Sequence, residues 1–218
     1  METKNYIIND VEPLDISSKI KEAQTVFNQL TYSHIPVMRD GDYIGCVSEN
    51  DAYCFDNDKM LSDFQYALEP FHVLENTNWL DVLEAFAIHN CNIMPVLGEN
   101  NRYLGYFELG DIMSLFHNTP FLNEAGGIIV LEKGIQEYSF SEVCQIVESN
   151  GSRVFGIFIS KMKEDTVELT LKIGQSSMNS IVQSFRRYNY TVVSHHEEDK
   201  FLEDLKERSK YLDKYLNI

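Results

Sequence analysis

Ser48-Glu49-Asn50-Asp51 sets a hydroxyl and a carboxylate three residues apart. That spacing places both at the first turn of a helix, where free backbone N–H groups and the helix dipole favour an anion beside the hydroxyl. The carboxylate offers two acceptor oxygens to a vicinal diol. The same spacing is also a capping box, with the serine capping the helix and the acid bonding back. The residues alone leave the two readings open. Glu108-Leu109-Gly110-Asp111 repeats the pattern with Asp111 kept and Glu108 in place of the hydroxyl; a carboxylate there repels phosphate. His195-His196-Glu197-Glu198-Asp199 invites a metal, yet adjacent histidines at a strand end point to opposite faces. His34, His72, His89 and His117 show no ligand spacing, so no metal site is expected. The chain has no Gly-rich phosphate loop, His-Glu-x-x-His or Gly-x-Ser-x-Gly motif, and it reads as non-enzymatic, with no catalytic residue assigned.

The elements that must carry these turns come in two copies. His34-Ile35-Pro36-Val37-Met38 recurs as Asn92-Ile93-Met94-Pro95-Val96-Leu97, Tyr43-Ile44-Gly45 as Tyr103-Leu104-Gly105, and Asp51 as Asp111. The offset is 59 at the prolines and 60 at the glycines, so the intervening turn gains one residue. Arg39-Asp40-Gly41-Asp42 and Gly98-Glu99-Asn100-Asn101-Arg102 are polar, glycine-bearing stretches between β-prone runs, and read as hairpin turns. Upstream of each proline the spacing predicts a helix. Ile16, Ile20, Ala23, Phe27 and Leu30 form one apolar stripe; Trp79, Val82, Phe86 and Ala87 form the other, after Thr77 or Asn78 as N-cap. Trp79 lies on the stripe and reads as core. Short helices follow at Asn50 to Phe55 and Leu109 to Phe116. Pro36 and Pro95 are expected at strand starts or edges. Each unit is strand, helix, strand, strand, helix, too small to bury its own sheet, and two such units packed together solve that.

These residues resemble a known family. Helix, x-x-h-Pro-Val, turn, h-Gly and Ser/Thr-x-x-Asp look like the CBS domain, and two copies over roughly residues 5–118 look like a Bateman module. The resemblance implies a regulatory, ligand-sensing module binding an adenosine-containing ligand, such as AMP, ATP or S-adenosylmethionine, between the repeats. It implies that the hydroxyl of the Ser/Thr-x-x-Asp turn meets phosphate, that the Asp bonds the ribose hydroxyls, and that backbone near the proline frames the base. Carried onto this sequence, that gives Ser48, Asp51, Ile35 and Pro36 on one side, with Asp111, Met94 and Pro95 on the pseudo-symmetric side. It also implies a homodimer joined through helices. The alternative is a scaffold whose clefts are empty and whose partner is another protein.

After Asn118-Thr119-Pro120 and a Gly126-Gly127 loop, the pattern changes. Ile128 to Leu131 reads as a strand, Ser141 to Ser149 as a helix, and Val154 to Ile159 and Thr166 to Ile173 as strands joined by a Lys163-Glu164-Asp165 turn. A helix from Met178 to Tyr188 and a strand from Tyr190 to Val193 complete βαββαβ, a ferredoxin-like plan. This resembles an ACT domain, with Ser141 standing where that family commonly has a ligand-approaching Gly; amino-acid binding there is left open. A CBS pair followed by such a domain is similar to AcuB-type acetoin-utilisation proteins. Lys200 to Ile218 reads as an amphipathic helix, Phe201, Leu205, Leu212 and Leu216 on one side. The expected class is α/β (α+β). Its domains are residues 1–58 and 59–122 as CBS repeats, 123–197 as the ACT-like domain and 198–218 as the terminal helix.

Charge narrows the partners. The 218 residues carry a formal net charge of −16. Residues 1–122 hold 19 acids against Lys4, Lys19, Lys21, Arg39, Lys59 and Arg102, a net of −13. Such a field repels nucleic acid and anionic membrane surfaces. It favours AMP-like, Mg²⁺-bridged or uncharged ligands over a bare triphosphate. No apolar run reaches the ~20 residues of a membrane span, and the first ten residues lack a signal-peptide pattern. Cys46, Cys54, Cys91 and Cys144 lack any paired spacing and read as free thiols of a cytoplasmic protein.

Overall fold

Both repeats are assembled in the predicted order. The first runs through β1 (Leu14–Asp15), α1 (Ile20–Gln29), β2 (His34–Arg39), β3 (Asp42–Ser48) and α2 (Glu49–Cys54). The second runs through β4 (Val73–Leu74), α3 (Trp79–His89), β5 (Ile93–Leu97), β6 (Tyr103–Glu108) and α4 (Leu109–His117). The computed structural model describes residues 3–175 and 178–194, which fall into two units dividing between Asn118 and Thr119. The helix expected over Lys200 to Ile218 and the His195–Asp199 sequence lie outside the described residues.

Sheet order is β1-β2-β3 in one repeat and β4-β5-β6 in the other. Asp40 and Gly41, both at positive φ, close the first hairpin in two residues. The periodic stripe begins later than the sequence predicts. Ile16 is buried but precedes the helix, because the Asp15 carboxylate takes the Ser17 N–H and hydroxyl at 2.8 and 2.5 Å and turns the chain there. In α3 the cap is Asn78, whose side chain accepts the Leu80 N–H at 2.9 Å, and Ala87 faces solvent while Val82 and Phe86 are buried. Trp79 stacks on Phe116.

Pro36 and Pro95 lie inside β2 and β5, the middle strands, rather than at strand starts or edges. Cys46, opposite Pro36, turns both backbone groups away from β2 to bond Glu69. In an antiparallel ladder its partner then also points outward. β1 begins to pair only at Val37, and β4 only at Val96. The missing proline N–H therefore leaves no ladder bond unmade.

The same outward bonds join the repeats. Cys46 exchanges backbone hydrogen bonds with Glu69 at 2.8 and 2.9 Å, and Tyr106 does so with Ile8 at 2.9 and 3.0 Å. The segment leading into each repeat thus adds a bridge to the other one. Side chains follow: Tyr6 and Ile7 pack on the second repeat's core, while Leu61, Phe64 and Leu68 pack on the first's. Gly45 and Gly105 make room for these crossings, at φ +142° and +143°. A Cβ on Gly105 would stand 2.2 Å from the Ile8 carbonyl oxygen.

The second unit comprises α5 (Pro120–Asn123), β7 (Gly126–Gly134), α6 (Phe140–Ser149), β8 (Val154–Met162), β9 (Thr166–Gly174), α7 (Met178–Arg187) and β10 (Thr191–Val192). Its sheet order is β10-β7-β9-β8, antiparallel throughout, the ferredoxin-like arrangement. Ile129, Leu131, Leu169, Leu171, Val143 and Phe185 are among its fully buried side chains. Gly126 and Gly127 are strand, not loop: a Cβ on Gly126 would meet the Ile173 carbonyl oxygen at 1.9 Å. Ser141 lies in the first turn of α6, and the cap before it is Ser139, accepting the Glu142 N–H at 3.4 Å. Phe121 of α5 packs on Gly156 and Phe158, so residues 120–122 belong with this unit. No helix among the described residues is long and apolar enough to cross a membrane, and no group of three or more His, Cys, Asp or Glu side chains among them could hold a metal ion.

Candidate functional site

Ser48 closes β3 and caps α2. Its Oγ accepts the Asp51 backbone N–H at 3.1 Å and donates to Asp51 Oδ2 at 2.8 Å. The capping geometry is therefore built, and the hydroxyl and carboxylate are also held side by side. Glu49 N–H bonds the Ser33 carbonyl at 2.9 Å, tying the turn to the residue before β2. The second repeat copies that tie from Leu109 to Asn92 at 3.0 Å. Ile35 and Met94 are fully buried core residues, and Pro36 and Pro95 are buried beside them. None of the four offers a side chain to a ligand.

The repeats meet at Ser33 and Asn92, positions matched by the 59-residue offset. Asn92 Oδ1 accepts the Ser33 N–H at 2.8 Å, Ser33 Oγ accepts the Asn92 N–H at 3.0 Å, and Asn92 Nδ2 donates to the Thr31 carbonyl at 2.7 Å. Next to this latch, His34 is buried, with Nδ1 2.9 Å from Ser33 Oγ and Nε2 3.4 Å from Glu69 Oε1. The Ser33 hydroxyl also donates to Asn92 Oδ1 at 3.0 Å, so that oxygen and the His34 ring nitrogen compete for its one proton. Phe71 meets the ring edge-on at 5.1 Å and stacks on His89 at 4.6 Å.

Burial pushes the His34 pKa below its usual 6.5, outweighing the upward pull of Glu69 and Asp51; His89 pulls with burial. The unfolded chain then binds the proton more readily than the folded one. Stability contributed by neutral His34 is present above pH ~6.5 and falls as pH drops from there toward the folded value. Urea midpoints should decline between pH 7.5 and 5.5, and decline less in His34→Gln; equal slopes in the two proteins would refute the assignment.

At the second repeat the predicted pair is not assembled in the same way. Asp111 is half-buried in the first turn of α4, but Glu108 makes no cap. Its Oε1 instead accepts the Tyr32 hydroxyl, from the first repeat, at 2.5 Å. Tyr32 and Tyr106 have their hydroxyl oxygens 3.0 Å apart, and Tyr106 donates to Asp10. Burial and the Glu108 carboxylate push the Tyr32 phenol up to about 12. Sequence reasoning within one repeat missed Tyr32, Asp10, His34, Glu69 and Asn92. The signal that finds Tyr32 is a residue-by-residue match of the copies, in which Tyr32 stands against Cys91 and Tyr106 against Cys46.

The CBS domain family model matches residues 4–53 and 63–118. No curated protein matches the chain. Among solved structures, a CBS domain pair/ACT domain protein from Thermotoga maritima is 24% identical, covering 53% of this chain and 96% of its own, with a TM-score of 0.48. The CBS domains of a transcriptional regulator from Streptococcus pneumoniae are 18% identical over 52% of this chain and 98% of theirs, at 0.47. CBSX2, solved in complex with AMP, is 15% identical over 53% of this chain and 95% of its own, at 0.44. With the two family matches falling on the two structural repeats, the first unit is a tandem pair of CBS domains.

Proposed function

We propose that the chain is a non-enzymatic regulatory module whose CBS pair senses one small adenosine-type ligand at the turn of Ser48 and Asp51. The observation that carries the reading is that turn: a hydroxyl and a carboxylate 2.8 Å apart, bonded to each other and to no side chain of the second repeat among the described residues. Exchange of that internal bond for bonds to a ligand is nearly balanced, since net hydrogen-bond worth is about 1 kcal/mol. Asp51 suits the ribose diol, with Ile35 and Pro36 in the strand beside it; Asp111, Met94 and Pro95 belong to the matched second turn and its strand, outside this site. Around His34 the influences are burial, the Glu69 and Asp51 carboxylates and His89, with no Lys or Arg among the described residues ion-paired to either carboxylate. That favours adenosine, AMP or a sulfonium over free ATP, with Mg²⁺ as the bridge where a polyphosphate binds.

The test is the melting temperature of the full chain with adenosine, AMP, S-adenosylmethionine, and ATP with and without Mg²⁺. Binding to the folded state alone at a hundredfold excess over Kd stabilises by about 2.7 kcal/mol, a rise of several degrees. Asp51→Ala should abolish the rise, and Glu108→Ala should retain it. No rise with any of these compounds would reject the reading.

A second reading has its own observation. Tyr53, Leu80, Ile88 and Met113, on α2, α3 and α4, are exposed large apolar residues. They support a homodimer or a protein partner docked on the helices, whether or not the turn is occupied; a monomer at micromolar concentration would count against it. The ferredoxin-like unit reads as an ACT-like association domain, as in AcuB-type proteins. The free thiols suit a reducing cytoplasm.

A further inference from the structure

The two repeats share a backbone plan, and four of the matched places at which they differ gather at the second turn. Glu108 stands where the first repeat has Ser48, Tyr32 where the second has Cys91, and Tyr106 where the first has Cys46. Asp10 lies two residues after Ile8, which bridges Tyr106, just as Phe71 lies two after Glu69, which bridges Cys46. The exchange therefore swaps an apolar trio, Phe71 with two thiols, for a polar one, an aspartate with two phenols.

The contacts among the second set are continuous. Tyr32 gives its single proton to Glu108 at 2.5 Å, Tyr106 gives its own to Asp10, and the two phenol oxygens lie 3.0 Å apart. The rings also meet edge-to-face at 5.6 Å. Tyr106 is 1% exposed, so its phenol has no water to fall back on if the chain opens. A phosphate-bearing ligand arriving at position 108 meets a carboxylate that repels it. It must also displace a phenol held from the opposite repeat. At the first turn the hydroxyl position is free of charge and of a crossing phenol: Ser48 replaces the carboxylate, and the matched Cys46 and Cys91 side chains are too short to span to it as Tyr32 spans to Glu108.

We propose that Asp10, Tyr106, Tyr32 and Glu108 form a built-in stopper at the second CBS turn, so that each chain takes one adenosine-type ligand rather than two. This rests on the functional reading above and deepens it by naming the closed side and the residues that close it. Because β6 carries both Tyr106 and Glu108, the two hydrogen bonds tie the segment before the first repeat and the first repeat itself to the second repeat. The stopper thus holds the repeats in register while it excludes a ligand.

Two measurements on the full chain test it. Titration calorimetry with AMP and with adenosine should give one site per chain, lost in Asp51→Ala and kept in Asp111→Ala. Two sites per chain, or binding lost in Asp111→Ala alone, would overturn the stopper while leaving the sensing function intact. The second measurement needs no ligand: a double-mutant cycle of Tyr32→Phe and Glu108→Gln, read in the unfolding equilibrium. Coupling of about fivefold or more supports the bonded chain, and additive effects overturn it. If no adenosine compound binds, the functional reading fails and the cycle alone decides whether position 108 is closed from within.

Discussion

Gly105→Ala should destabilise the CBS pair by about 3 kcal/mol or more, the largest single-residue effect expected in the first unit. A non-glycine residue held in a sparsely populated positive-φ conformation costs about 1–3 kcal/mol. Gly105 at +143° incurs that cost in full. The new methyl would also lie 2.2 Å from the Ile8 carbonyl oxygen, with the Ile7 side chain at 3.0 Å, so the crossing segment must move. Moving it breaks both Ile8–Tyr106 backbone bonds, each worth about 1 kcal/mol net. Gly45→Ala is the internal control. Its φ is +142°, but its Cβ would meet the Glu69 carbonyl oxygen at 3.1 Å, a contact that small shifts relieve. Urea unfolding should therefore show a clearly larger loss at 105 than at 45. In a chain lacking residues 1–9 the two losses should converge, because the obstacle at 105 has been removed. Equal losses in the full-length chain would mean that the crossing segment does not govern the site.

That asymmetry shows what could be read from the sequence. Backbone periodicity and the paired offsets of 59 and 60 residues placed four helices and four strands in order, because apolar spacing and turn residues are properties of single segments. The h-Gly motif was visible at Tyr43-Ile44-Gly45 and Tyr103-Leu104-Gly105, but its reason was not. The Ile8 and Glu69 bridges are made by backbone groups, which leave no side-chain pattern. β1 and β4, at two residues each, are too short to announce themselves. The Ser48–Asp51 turn was legible with both its meanings, since a cap and a ligand contact use the same atoms. The closing of the second turn was half legible. Glu108 shows in the motif itself, whereas Tyr32 and Asp10 reach it from 76 residues away and across Tyr106 respectively. Ser141 was misplaced because Phe140 and Ser139, not Ser141, start α6.

Asn92→Ala should cost about 2 kcal/mol, and its cost reports on how the repeats are coupled. Asn92 Oδ1 is the acceptor for the Ser33 N–H, and Asn92 Nδ2 is a donor to Thr31. Removing the side chain strands a part-buried backbone donor, which costs about 1–3 kcal/mol when water cannot replace the partner. The Thr31 bond lies at an exposed carbonyl and adds less. Asn92→Asp separates the two contributions. It keeps an acceptor for Ser33 N–H, now charged, and loses only the donor to Thr31, so its cost should stay below that of alanine despite the added charge in an acidic unit. Combining Asn92→Ala with Ser33→Ala should cost less than the sum of the two, because Ser33 Oγ also donates to Asn92 Oδ1 at 3.0 Å and either substitution removes that bond. The same serine hydroxyl meets both the His34 ring and Asn92 Oδ1, so Ser33→Ala should in addition alter the acid dependence assigned to His34. If both variants shift that pH dependence alike, the latch and the histidine form one cooperative network. If only Ser33→Ala does, the latch holds the repeats together and the hydroxyl alone orients the ring that faces Asp51.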